Sequence, residues 1–166
     1  ILDPCELFAA SLEEPEAVED FMEKVTQSVI DFSEMQIEAI GENLYTAPGH
    51  MMLSDSSFSG IALSDDNMAV VSPISYAAIG KPYNEKLSKH FDGLALHSCG
   101  VITHNVPLLL ETEGLKQLDF KITDFEPNDA AYLAEQFANT DILIKPCVYP
   151  NEDLTRLLPA ITWQGS

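Results

Sequence analysis

His97 and Cys99 stand two residues apart in His97-Ser98-Cys99-Gly100, which closes the short apolar run Gly93-Leu94-Ala95-Leu96. On a strand, residues two apart point to the same side. An imidazole and a thiolate on one side of a strand end suit a soft or borderline metal ion, and zinc takes both ligand types in a tetrahedron. Cys147 follows a later apolar run, Asp141–Ile144, and offers a second thiolate. Asp65 and Asp66 follow the run Ile61-Ala62-Leu63. Either is a candidate catalytic acid of a cleft, a helix cap or a metal ligand, and His50 is a further candidate ligand. A plainer alternative stays open, because H-x-C also describes a hydrogen-bonded histidine beside a buried cysteine. Cys5 reads as a structural thiol ahead of the first helix. His104 suits a helix cap or a cleft wall, and His90 a solvated helix end.

The elements that must position these groups alternate along the chain. Pro15 to Ile40 reads as one long amphipathic helix with Val18, Phe21, Met22, Val25, Val29, Phe32 and Ile37 on a stripe. Gly41 is its stop. Tyr45 to Gly60 reads as a loop. Ser72-Pro73 opens a helix towards Phe91, broken near Lys81 by Gly80 and Pro82. Short apolar strands are expected at Ile61–Leu63, Gly93–Leu96, Leu118–Ile122 and Asp141–Ile144. Helices are expected at Val106–Glu111, Ala130–Ala138 and Asn151–Leu158. This rhythm is that of a parallel sheet with crossover helices. In such a sheet all strand C-termini share one end, where α/β proteins place their sites. Asp65/Asp66, His97/Cys99, Thr123/Asp124 and Cys147 all fall there.

The chain has 166 residues, of which 46% are hydrophobic, so it can form one domain with a sizeable core. Eight basic against 27 acidic residues leave a net charge of −19. That charge repels phosphate backbones and anionic headgroups, which argues against nucleic acid and membrane surfaces as partners. No apolar run approaches the roughly 18 residues of a membrane span. The N-terminus has no basic region of a signal peptide and no initiator Met, which suggests a processed chain or a piece of a longer one. Three cysteines are too few and too odd in number for a disulfide framework, and fit a reducing cytoplasm.

Three stretches in this order carry a family likeness: DPCELFAASLEEPEAVEDFMEKVTQSVIDFSEMQIEAIG, SDDNMAVVSPISYAAIGKPYNEKL and GLALHSCG. The chain resembles the C-terminal half of the uroporphyrinogen decarboxylase-like superfamily from Leu2 to about Tyr149. HSCG departs from the decarboxylases themselves and is similar to the cobalamin- and thiol-dependent methyltransferase branch, in which H-x-C binds zinc. The resemblance implies an α/β fold, about four βα units of a partial (β/α)₈ TIM barrel, with residues 1–166 as one uroporphyrinogen decarboxylase-like domain. A whole barrel takes roughly 200 residues or more, so the chain is expected to be a fragment. It would close by homodimerisation or by pairing with the missing barrel half. A lone half barrel is expected to expose sheet edges and an apolar inner face.

The resemblance makes His97 and Cys99 the implied zinc ligands. It matches Asp65 or Asp66 to a strand-end aspartate of the family, available to fix a histidine ligand or substrate. In that branch a further cysteine comes from the last barrel strand, whereas Cys147 falls two strands after HSCG. The implied activity is methyl transfer to a zinc-activated thiol, with methylcobalamin supplied by a partner corrinoid protein. Two other readings remain: a decarboxylase-like lyase acting on a tetrapyrrole, and a non-catalytic domain with a structural metal site. A polycarboxylate substrate wants cations, and among the few present Lys145 is best placed at a strand end.

Overall fold

The computed structural model describes residues 3–41, 60–122 and 128–147. It opens on two helices, α1 (Pro4–Glu13) and α2 (Pro15–Ile40). The first was not expected from sequence. The Asp3 carboxylate accepts the Cys5 amide at 2.8 Å and Pro4 occupies the first turn, two start signals in adjacent residues. Cys5 therefore lies inside a helix, exposed in its first turn. Pro15 forbids a continuous helix, and Glu14 turns the chain with φ −135° and ψ 58°.

Four strands follow: β1 (Ile61–Ser64), β2 (Leu94–Ser98), β3 (Leu115–Lys121) and β4 (Leu143–Cys147). They form one parallel sheet in the order β1-β2-β3-β4. Between β1 and β2 lie α3 (Pro73–Ile79) and α4 (Lys81–Phe91), split at Gly80 as the sequence suggests. The Ser72 hydroxyl caps α3 by accepting the Ser75 amide. At the other end of α4, Asp92 adopts a left-handed conformation. The crossovers to β3 and β4 are α5 (Val106–Leu110) and α6 (Ala130–Phe137).

Strand alternation divides the sheet into unlike faces. Ile61, Leu94, Leu96, Leu118 and Phe120 join Leu87, Leu109, Leu133 and Phe137 of the helices in one core. Burying each such side chain contributes on the order of 1.5–3 kcal/mol. Ala62 and Ala95 point the other way and form a separate pair. Their face continues through Ser64, His97, Gln117 and Asp119 by strand parity. The expected apolar inner face is therefore polar and small-residue in character, because the large apolar residues sit at the alternate, helix-facing positions.

The buried line of α2 runs through Val18, Thr26, Ile30 and Ser33. The expected stripe is rotated: Phe21, Val25 and Phe32 are exposed, while Met22, Val29 and Ile37 are half-buried. Apolar residues extend around more than one side of α2, and the packing of α1, α3 and α4 selects which side is covered. The expected loop over Tyr45–Gly60, with His50, Met51 and Met52, falls almost wholly outside the described residues. So do Thr123, Asp124, the expected helix Asn151–Leu158 and Trp163. Among the described residues, no helix is long and apolar enough to cross a membrane.

Candidate metal centre

One polar row crosses the sheet. Ser64 pairs with His97, His97 with Asp119, and Asp119 with Lys145, one residue from each strand. The row arises because Leu96 and Leu118 fill the helix-side core, so their sequence neighbours His97 and Asp119 must face the opposite way. Within it, His97 Nδ1 lies 2.7 Å from Asp119 Oδ1. A carboxylate only accepts, so Nδ1 carries the proton and donates. In this tautomer the lone pair is on Nε2, the ring atom through which a histidine of this orientation binds a metal. Nε2 points to Cys99 Sγ at 3.2 Å.

A third donor comes from the turn after β1. Asp66 Oδ1 accepts the Cys99 backbone amide at 2.8 Å, tying the β1 and β2 loops together. The donor atoms of Asp66, His97 and Cys99 all lie within 4.8 Å of one another, with His97 buried, Cys99 half-buried and Asp66 exposed. Gly100 makes this approach possible. A β-carbon there would lie 2.3 Å from the Ala69 β-carbon, so any larger residue forces the two loops apart. Two buried asparagines brace the loops from behind. Asn105 donates to the Met68 and Val71 carbonyls. Asn128 accepts the Ile102 amide and donates to the Gly100 and Lys121 carbonyls, each at 2.9 Å.

The adjacent acids part company. Asp66 joins His97 and Cys99, whereas Asp65 turns to the helix side. There Asp65 accepts from Asn84 Nδ2 at 3.0 Å, and the same amide donates to the Tyr76 hydroxyl at 3.1 Å. Burial pushes the Asp65 carboxyl above its ordinary range, against the lowering influence of Asn84. Burial and the nearby Asp65 charge likewise raise the Tyr76 phenol. Cys147 lies at the end of β4, its backbone paired with Lys121; its side chain falls outside the described residues, as does His50. His104 donates from Nε2 to the Val71 carbonyl at 3.0 Å. His90 contacts Glu34 of α2 at 2.8 Å. Both are packing contacts between elements.

Asp119 and Asn128 were not singled out from sequence. An acid flanked by apolar residues in Leu118-Asp119-Phe120 was the available signal, since a carboxylate inside a strand usually has a partner. Asn128 gives no comparable signal, because its partners are backbone atoms up to 28 residues away.

The donor set fits zinc. A tetrahedral ion at ordinary Zn–N and Zn–S bond lengths holds its N and S donors about 3.5 Å apart. The observed Nε2–Sγ separation of 3.2 Å is close to that value. A metal-binding histidine commonly donates its other N–H to a carboxylate, as His97 does to Asp119. No family model, curated protein or solved structure matches the chain.

Proposed function

We propose that this protein is a methyltransferase-type domain that holds zinc through His97, Cys99 and Asp66 and uses it to activate a substrate thiol. The observation that carries the reading is the convergence of these three donors at the strand ends, with the His97 ring oriented by Asp119. Bound zinc supplies Lewis acidity that keeps a thiol ionised near neutral pH. His97 contributes a neutral nitrogen donor, held in one tautomer. Cys99 contributes a thiolate, and Asp66 a carboxylate whose position depends on the Cys99 amide. Cys147 is a candidate fourth donor from β4. The methyl donor would be methylcobalamin on a partner corrinoid protein: the thiol, its proton lost to solvent, would take the methyl carbon on sulfur while the broken cobalt–carbon bond leaves its electron pair on the corrinoid.

The sheet supports a partial (β/α)₈ barrel of the uroporphyrinogen decarboxylase-like superfamily. Its four parallel strands run in sequential order, without the reversal of a doubly wound sheet. Its large apolar residues pack on the helices, and the candidate donors sit at the C-terminal ends of β1 and β2, the end where such barrels carry their sites. A second copy or a further polypeptide segment would complete the wall. Thiolate ligands call for a reducing compartment, which favours the cytoplasm.

The test is zinc content per chain, measured on the protein and on a His97→Ala, Cys99→Ser double variant. Cobalt(II) substitution then tests for an exchangeable position. Near-stoichiometric zinc that is lost in the variant, and a cobalt spectrum altered by added 2-mercaptoethanol, support thiol activation. A cobalt spectrum indifferent to thiol assigns a structural metal site instead. No metal in either protein removes the proposal.

A further inference from the structure

A buried amide takes over where the β2–β3 ladder stops. The paired residues run from Leu94 and Leu115 to Ser98 and Phe120. One residue further along β3, the Lys121 carbonyl accepts from Asn128 Nδ2 at 2.9 Å. The same nitrogen donates to the Gly100 carbonyl at 2.9 Å, and Asn128 Oδ1 accepts the Ile102 amide at 2.9 Å. One side chain thereby joins the turn after β2 to the end of β3. Cys99 stands between the last ladder residue, Ser98, and the clamped Gly100. Asp119, which orients His97, lies two residues before Lys121 on β3. We propose that Asn128 is a positioning residue for the metal centre, holding the Cys99 turn against β3 so that the thiol stays beside His97. Its effect on metal rests on zinc being held by His97, Cys99 and Asp66, as proposed above.

Two carbonyls and one N–H face the Asn128 side chain. A primary amide answers all three, with two N–H donors on nitrogen and an acceptor oxygen. An ionised aspartate of the same shape only accepts, so it keeps the Ile102 contact but sets an oxygen against two carbonyl oxygens. Asn128 is 4% exposed, so water replaces the lost bonds poorly. The partners of the clamp also tell which donor it serves. Asn105 holds the Asp66 turn separately, through the Met68 and Val71 carbonyls. Loss of Asn128 therefore acts first on the turn that carries Cys99. That turn keeps one tie, from the Cys99 amide to Asp66 at 2.8 Å. The thiol is displaced rather than released, and a metal bond is sensitive to displacements of a few tenths of an ångström. The expected loss of zinc affinity is thus near the tenfold end of the range for supporting groups around a metal.

The experiment compares the full chain with Asn128→Asp and with Ile30→Ala, a control that loses core packing on α2 away from the clamp. Asn128→Ser, smaller and open to water, is the second variant should Asn128→Asp not fold. Zinc affinity is measured by chelator competition, and urea unfolding of each metal-free protein gives its stability. In the metal-free proteins, alkylation of Cys99 by iodoacetamide is followed by peptide mass spectrometry. The expected result is a zinc affinity about tenfold weaker in the Asn128 variant, with Cys99 alkylated faster than in wild type. Ile30→Ala should lose stability yet keep zinc affinity within about twofold, which separates positioning from a general loss of stability. Folded Asn128→Asp with zinc affinity within about twofold of wild type overturns the proposal. So does a control that loses as much zinc affinity as the Asn128 variant. A wild-type chain that takes up no zinc defeats the metal reading instead. Alkylation then decides the clamp by itself: faster reaction of Cys99 in the variant upholds it, and an unchanged rate overturns it.

Discussion

Removing the Asp119 carboxylate tests whether the polar row orients a metal ligand. Asp119 holds His97 Nδ1 at 2.7 Å, and the two side chains are 15% and 9% exposed, so water replaces the contact poorly. Loss of such an outer partner typically weakens metal affinity by about 10–100-fold, or about 1.4–2.7 kcal/mol. Asp119→Asn keeps an oxygen acceptor of the same reach but loses the charge, and belongs near the tenfold end. Asp119→Ala leaves the Nδ1 proton without this acceptor and frees the ring to rotate, and belongs near the hundredfold end. Zinc affinity is measured by competition with a chromophoric chelator at fixed pH, with urea unfolding of the metal-free proteins as a control for folding. The expected order of affinity is wild type, then Asp119→Asn, then Asp119→Ala, with His97→Ala weakest. Zinc affinity of folded Asp119→Ala within about twofold of wild type would refute the reasoning, since an orienting contact of this kind is worth more than that.

Asp65→Asn should raise the melting temperature of the ligand-free protein near neutral pH. The native carboxyl is held above its ordinary value of 3.8, mainly by burial, so the charged form is the one folding disfavours. Its stabilising contribution is present at low pH and lost as pH rises through the elevated folded value, and an unchanged melt in the variant would contradict this. Glu85 behaves oppositely. Burial alone would raise it, but hydrogen bonds from Lys81 and the Glu113 amide outweigh that and bring it below 4.5. Its stabilisation is therefore present above the unfolded value and lost as pH falls through the lowered folded value. Chemical denaturation of Glu85→Gln should show a deficit of about 0.5–1 kcal/mol at neutral pH that closes in acid. Gly100→Ala should cost about 1–3 kcal/mol of stability and weaken zinc binding together, because the added methyl meets Ala69 beside the Asp66 turn. A variant with native melting and native zinc affinity would show that the two loops have slack there.

Much of this architecture is local in origin, and that part is legible in the residues. The apolar runs before Asp65, His97 and Cys147 are strands, and the break at Gly80-Lys81-Pro82 is real, because proline, glycine and short-range hydrophobic period act within a few residues. His97 and Cys99 share a side by strand parity, which needs no tertiary information. The start of α1 is equally local, written in Asp3-Pro4.

Other features depend on contacts between distant stretches. Which of Asp65 and Asp66 joins His97 and Cys99 depends on how the chain leaves β1, a phase that a one-residue shift reverses. Which side of α2 is buried follows from where α1, α3 and α4 pack, since its apolar residues permit more than one choice. The pairing of His97 with Asp119 joins residues 22 apart through the register of two parallel strands, and no local pattern specifies that register. The sequence alone determines the chemical types and the strand ends on which they sit. Only the tertiary structure decides which carboxylate meets which histidine, because hydrogen bonds are set by ångström distances across the sheet rather than by spacing along the chain.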